Sequence, residues 1–198
     1  IIEERFGDGE TDFTAQIERV KKTSPDAILV WGNAKESALI LKQLRELGMN
    51  QPVYGSDRMV NEIFLKTAGD LAEGIITTCQ YNPESNDPKF RAFKENYTKR
   101  FGQDPDVFAA HAYDGMNVII EAIKKAGLNR ALIRDVLTDL KTFQGYQGVT
   151  GPIVFDGSWN NIRPIYLAKV SNGKFHFSPA PKWEKENVIY KKARMAYQ

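Results

Sequence analysis

Between residues 28 and 70 the chain runs twice through the same short pattern, and that repetition limits its fold more than any other feature. ILVWGNAKESALILKQLRELG is an apolar run, a glycine corner and a helical pattern, and PVYGSDRMVNEIFLKTAG repeats the unit. Short apolar runs rich in β-branched residues and bounded by glycine read as strands, whereas apolar positions spaced by three and four over a dozen residues read as helix. DAILVWG is apolar enough to predict a strand buried on both sides, and Gly48 is placed to close the following helix in the left-handed conformation. Upstream, IIEERF is expected to be a short strand and TDFTAQIERVKKTS a helix with Phe13, Ile17 and Val20 on one face; downstream, EGIITTCQ adds a further strand. Strands alternating with helices of this length need right-handed crossovers, so residues 1–79 predict an α/β fold built on a parallel sheet covered by helices on both faces.

From Asn82 the pattern changes. NPESNDP is a connector, and three helical stretches follow with no strand between them: 87–101 (Phe90, Phe93, Tyr97, Phe101), 106–126 (Phe108, Met116, Ile120, Ile123) and 129–140 (Leu132, Ile133, Val136, Leu140). After FQGYQGVTG the sequence returns to strand patterns in GPIVF, RPIYLAKV and KFHF, separated by the turns DGSWNN and SNG. A helix buries its apolar stripe against something. Three consecutive helices with aromatic faces and no sheet of their own either pack on one another or rest on a sheet from elsewhere; the second option fits the abrupt start at Ile1, and on it this chain is expected to be the C-terminal part of a larger, two-lobed protein.

Composition narrows the function classes. With 42% hydrophobic and 26% charged residues over 198 positions, disorder is disfavoured. No apolar run approaches the roughly 20 residues of a transmembrane helix. The net charge of +2 is small, and Lys and Arg alternate with Asp and Glu along the helices, which argues against a nucleic-acid partner. Cys79, the single cysteine, has no internal partner for a disulfide and sits in the apolar run GIITTC as a small core residue. IIEERFG shows no secretion signal, so either the protein is cytosolic or this chain is a mature or truncated piece, and in a C-terminal segment no signal is expected.

Several segments, taken in order, carry a resemblance: DFTAQIERVKKTSPDAILVWG, PVYGSD, AGDLAEGIITT, DPKFRAFKENYTKRFGQDPDVFAAHAYDGMNVIIEAIKKAG and GVTGPIVFDGSWNNIRPIYLAKVSNGKF. Together they resemble the C-terminal half of the type I periplasmic binding proteins, and more narrowly the substrate-binding proteins of branched-chain amino acid ABC transporters. The resemblance covers the chain to about residue 181. It implies two α/β lobes joined by chain crossings at a hinge. Residues 1–79 then belong to the C-terminal lobe, 80–86 to a hinge crossing, 87–142 to helices packed on the N-terminal lobe and 143–150 to a second crossing. Residues 151–181 form a hairpin returning to the C-terminal lobe, and 182–198 a tail.

In an open parallel sheet, ligands bind outside the carboxyl ends of the strands near a topological switch point. Residues 32–34 and 55–58 both follow strands, so Asn33, Ala34, Ser56 and Asp57 are candidate ligand-binding residues. The resemblance implies that Asp57 faces a ligand's ammonium group, which an ionised carboxylate complements as acceptor only. Gly55 would let the backbone approach that ligand. Asp57 can equally open the next helix, favoured there by the macrodipole, with Ser56 as its N-cap. The WGNAKE corner lacks the aromatic residue common in branched-chain amino acid binders, which argues against a leucine-type ligand. Trp31 is expected in the core. Tyr81 and Tyr113 are candidates to reach the cleft, each with a packed role as the alternative. His111, near a helix start, is expected to make a structural hydrogen bond, and His176 lies on a hairpin strand. Two histidines so placed with one cysteine do not make a metal site. The FGDGE loop is followed by no Gly-Lys-Ser/Thr, which removes a nucleotide cofactor.

No nucleophile with its base is visible, so a non-enzymatic receptor is the first reading. By the resemblance it is the substrate-binding component of an ABC importer, taking an amino acid or related small polar metabolite between two closing lobes. Its partners would be a membrane permease and the N-terminal half of the same protein. The location would be periplasmic or extracellular, with a lipid anchor upstream as one means of retention. A ligand-sensing domain of a receptor or transcriptional regulator with the same fold is the alternative.

Overall fold

Four helices start where the sequence supplies a side chain to close their first turn. The computed structural model describes residues 1–139, 145–155, 159–161 and 165–181. Asn61 accepts from the Ile63 amide at 2.7 Å, Asp87 from Lys89 at 2.7 Å, Asp106 from Ala109 at 2.8 Å and Asn129 from Ala131 at 3.0 Å. These caps open α3 (Glu62–Ala68), α4 (Pro88–Phe101), α5 (Val107–Ala126) and α6 (Arg130–Thr138). Each satisfies an amide that has no partner inside its helix. The two earlier helices are α1 (Thr14–Lys21) and α2 (Ala34–Glu46), and Gly48 follows α2 at φ +74°, as expected of a residue that ends a helix in the left-handed region.

The strands are β1 (Ile28–Val30), β2 (Val53–Gly55), β3 (Ile76–Cys79), β4 (Tyr146–Gly148), β5 (Gly151–Ile153), β6 (Tyr166–Ser171) and β7 (Lys174–Pro179). β1, β2 and β3 are parallel neighbours, as the strand-helix alternation requires. β6 joins β3 antiparallel and β7 pairs with β6 across the Asn172-Gly173 turn, giving one mixed sheet in the order β1-β2-β3-β6-β7. The hairpin therefore adds to the same sheet as the strand-helix repeats. β4 and β5 form a separate two-stranded ribbon. The GPIVF segment thus pairs backward with residues 146–148, inside the stretch expected as a crossing, rather than forward with RPIYLAKV. Leu140 and the tail 182–198 lie outside the described residues.

Two expectations near the N-terminus are corrected. Residues 1–6 form no strand of the described sheet, because a strand needs a neighbour to take up its amides and carbonyls. β1 is consequently an edge of the described sheet. Its side chains alternate, so Val30 is buried while Leu29 and Trp31 are each 66% exposed. Trp31 is not a core residue, and β1 is covered on one face only.

The main core lies where α1, α2 and α3 meet the covered face. Phe13, Leu41, Leu44, Met59 and Phe64 are at most 1% exposed there, each contributing about 1.5–3 kcal/mol through burial. A second cluster gathers Cys79, Tyr81, Phe90, Ala110, Val149 and Ala168, so it joins the end of β3 to α4 and α5. Cys79 is fully buried, as its apolar context predicts. Among the described residues no helix is long and apolar enough to cross a membrane, and no group of side chains could hold a metal ion.

Candidate functional site

The two glycine corners sit side by side. Register pairs Val30 with Gly55, so β1 and β2 end level and release their loops at the same edge of the sheet. The ladder continues for one more bond, from the Ser56 amide to the Val30 carbonyl at 3.3 Å. Ser56 occupies the cap position of a short 3-10 turn (Asp57–Met59), yet its hydroxyl makes no cap bond and donates across to the Gly32 carbonyl at 3.2 Å. Ser56 is fully buried, and its hydroxyl bond joins the two corners.

Both glycines serve internal packing. A Cβ on Gly55 would stand 2.0 Å from the Met59 sulfur, and one on Gly32 would stand 2.7 Å from the Phe6 ring. Met59 is wholly buried, so Gly55 is required by the side chain folded back beneath it.

What the corners present to solvent is a row of polar groups. Asn33 caps α2 by position, but its side chain points along the edge: its Nδ2 donates to Asp8 Oδ1 at 3.1 Å and its Oδ1 accepts from Arg58 Nη1 at 2.7 Å. Glu36, in the first turn of α2, is buried and accepts from the Gly9 amide at 3.1 Å, which pins the Asp8 loop over the corner. Trp31, Gly32, Asn33, Glu36, Arg58 and Asp8 line a pocket of about 270 Å³ at this edge. Asp57 is half-buried at the start of the 3-10 turn, beside Arg58. Ala34 begins α2 and packs against the main core.

The remaining candidates gather elsewhere. Tyr81 is buried in the second cluster, its ring edge-on to Phe90 at 5.6 Å and its hydroxyl donating to the Pro105 carbonyl at 3.3 Å. Burial, reinforced by the carboxylates of Asp106 and Asp104, pushes its phenol up from the ordinary value. Tyr113 lies on α5, half-exposed, with its ring 4.7 Å from Phe93. His111 makes the structural bond expected of it, to the Val107 carbonyl one turn back. The edge thus brings together Asn33, Ala34, Ser56 and Asp57, without the two tyrosines. Sequence reasoning did not single out Arg58, Asp8 or Glu36. The only signal for Arg58 was adjacency to Asp57, and Asp8 lies 25 residues from the amide it holds.

The profile of one family, described as periplasmic binding protein, matches residues 1–174. The chain belongs to the periplasmic binding proteins. Its relatives put it among the type I members, in the branched-chain amino acid group. It is 25% identical over 173 residues to the Leu/Ile/Val-binding protein homolog 2 of Brucella abortus, a match covering 85% of this chain and 46% of that protein. It is 32% identical over 120 residues to the leucine-, isoleucine-, valine-, threonine- and alanine-binding protein of Pseudomonas aeruginosa, covering 60% of this chain and 32% of that one. Among solved structures, a leucine-binding protein from Thermotoga maritima superposes with a TM-score of 0.76 at 29% identity, covering 87% of this chain and 49% of its own. A branched-chain amino acid transporter substrate-binding protein from Streptococcus pneumoniae, solved with isoleucine, gives 0.71 at 29% identity, with 88% and 50% covered. The chain spans about half the length of the periplasmic binding proteins it matches.

Proposed function

We propose that this chain is the C-terminal part of a substrate-binding protein of an ABC importer, and that it takes an amino acid or related small polar metabolite against the corner at Asn33 and Asp57. The observation carrying the reading is the hydrogen-bonded pairing of two loops at the carboxyl edge of a parallel sheet, where ligands of such sheets bind. Relatives named for leucine, isoleucine and valine binding support an amino acid ligand. Residues 1–79 and the hairpin act as one lobe, and residues 80–86 and 143–150 as crossings to a second lobe that rests on α4, α5 and α6. Closure of the lobes desolvates the ligand's charges, and the closed form is what a membrane permease recognises at the periplasmic or extracellular face. The role is non-catalytic, in keeping with relatives that are binding proteins.

The test is Asp57→Asn in the complete two-lobed protein, read by calorimetry with leucine, isoleucine and glutamate and by thermal melting. Losing one partner of a desolvated charge pair costs about 2–5 kcal/mol, or roughly 30-fold to several thousand-fold in affinity. If Asp57 only stabilises the turn it opens, the change costs about 0.3–1 kcal/mol of stability and leaves affinity alone. Unchanged affinity with a small drop in melting temperature would overturn the role given to Asp57.

A further inference from the structure

Arg58 is a cation held at the ligand edge by a neutral group. Its Nη1 donates to Asn33 Oδ1 at 2.7 Å, and it makes no ion pair among the described residues. The direction of the Asn33 amide is fixed: Asp8 accepts from its Nδ2, which leaves Oδ1 facing the guanidinium. Asp8 and Glu36 line the same pocket; one oxygen of each carboxylate accepts from a neutral amide, that of Asn33 and that of Gly9 respectively, and neither group comes within ion-pair distance of Arg58. A guanidinium has five N–H donors in a planar fork. One is taken by Asn33, and the side chain is thereby aimed while the other donors stay available for a second partner. A fork held in this way matches the two oxygens of a carboxylate.

We infer that Arg58 receives a carboxylate of the ligand at this corner. The inference rests on the reading that the corner is the ligand site, and it adds the substrate class: a compound bearing a carboxylate that reaches the C-terminal lobe, either the one shared by all amino acids or a second, acidic group. Asn33 and Asp8 are positioning residues, acting through the guanidinium they orient.

The experiment uses the complete two-lobed protein and calorimetry with leucine, glutamate and benzoate, each paired with its primary amide: leucinamide, glutamine and benzamide. The expected result is that at least one acid binds more tightly than its amide, and that Arg58→Gln removes this preference with a loss of about 10- to 100-fold, the range for a hydrogen bond to a charged group. Arg58→Lys, which keeps the charge without the fork, recovers part of the loss. A loss for leucine and glutamate alike assigns Arg58 to the carboxylate common to amino acids; a loss confined to glutamate assigns it to a side-chain acid. Wild-type affinity in Arg58→Gln, with binding still lost in Asp57→Asn, overturns the inference and leaves the proposed function standing. A wild-type protein that binds amides as well as acids also overturns it. One that binds none of the six compounds overturns the inference together with the reading beneath it.

Discussion

Tyr81 carries its function in its burial. The folded chain keeps the phenol protonated above its ordinary range, because the ring is buried and carboxylates lie near. In the unfolded chain the same phenol ionises near pH 10. Above that pH the unfolded state binds fewer protons than the folded one, so stability falls as pH rises, and it is fully present below the unfolded value. Tyr81→Phe removes this titration and the bond to Pro105. The expected outcome is a loss of about 0.5–1.5 kcal/mol at neutral pH and a shallower decline in stability at alkaline pH than wild type, measured by urea unfolding across the two conditions. Ligand affinity in the complete protein should not change, since the hydroxyl is directed at a buried carbonyl. At this scale the sequence was readable where a residue's partner lies nearby, as with His111 and the helix caps. It was unreadable at Trp31, whose exposure depends on what lies beside β1, and at Gly55, whose need for a bare Cα comes from the Met59 side chain.

Elements were more legible than residues, because their signals are local. The cap residues Asp87, Asp106 and Asn129 precede the three long helical patterns within a residue of where those helices begin. The failure at residues 1–6 and the unexpected β4 ribbon have one physical cause: strand pairing is decided by non-local neighbours. The tie between α5 and that ribbon was equally invisible. Asp114 is 1% exposed on α5 and accepts from the Val149 and Thr150 amides at 2.8 Å each and from the Thr150 hydroxyl at 2.7 Å. Its partners are 35 and 36 residues away. A Cβ on Gly148 would stand 2.3 Å from the carboxylate, so glycine is the residue that lets the ribbon close on α5. Asp114→Ala strands two amides and should cost about 2–4 kcal/mol. Gly148→Ala should cost about 1–3 kcal/mol through overpacking. The double substitution should cost less than the sum, because removing the carboxylate removes the clash; urea unfolding of the four proteins measures the coupling. Additivity would mean that the two residues do not meet.

At the scale of the whole molecule, the segment carrying α4, α5 and α6 leaves several large apolar side chains exposed. Phe108 is 61% exposed, Met116 59%, Leu128 93% and Leu132 50%, with Phe101, Ile119 and Ile120 also open to solvent. Contiguous exposed apolar surface beyond a few hundred Å² is rare on monomers and marks a contact. The sequence already pointed to this, through aromatic and aliphatic stripes on helices 87–140 with no sheet to receive them, and the second lobe of the proposed receptor would supply the cover. Two consequences follow for the 198-residue chain studied by itself. In sedimentation it should self-associate, and a separately prepared N-terminal half should disperse the oligomers into a one-to-one complex. Phe108→Lys with Met116→Lys should weaken self-association without unfolding α5, since both side chains are on its open face; circular dichroism would verify the retained helix. The competing outcome is a monomer that binds no hydrophobic dye and ignores the N-terminal half. That result would mean the stripe on α4, α5 and α6 is ordinary surface, and it would remove the physical reason for placing these helices on a second lobe.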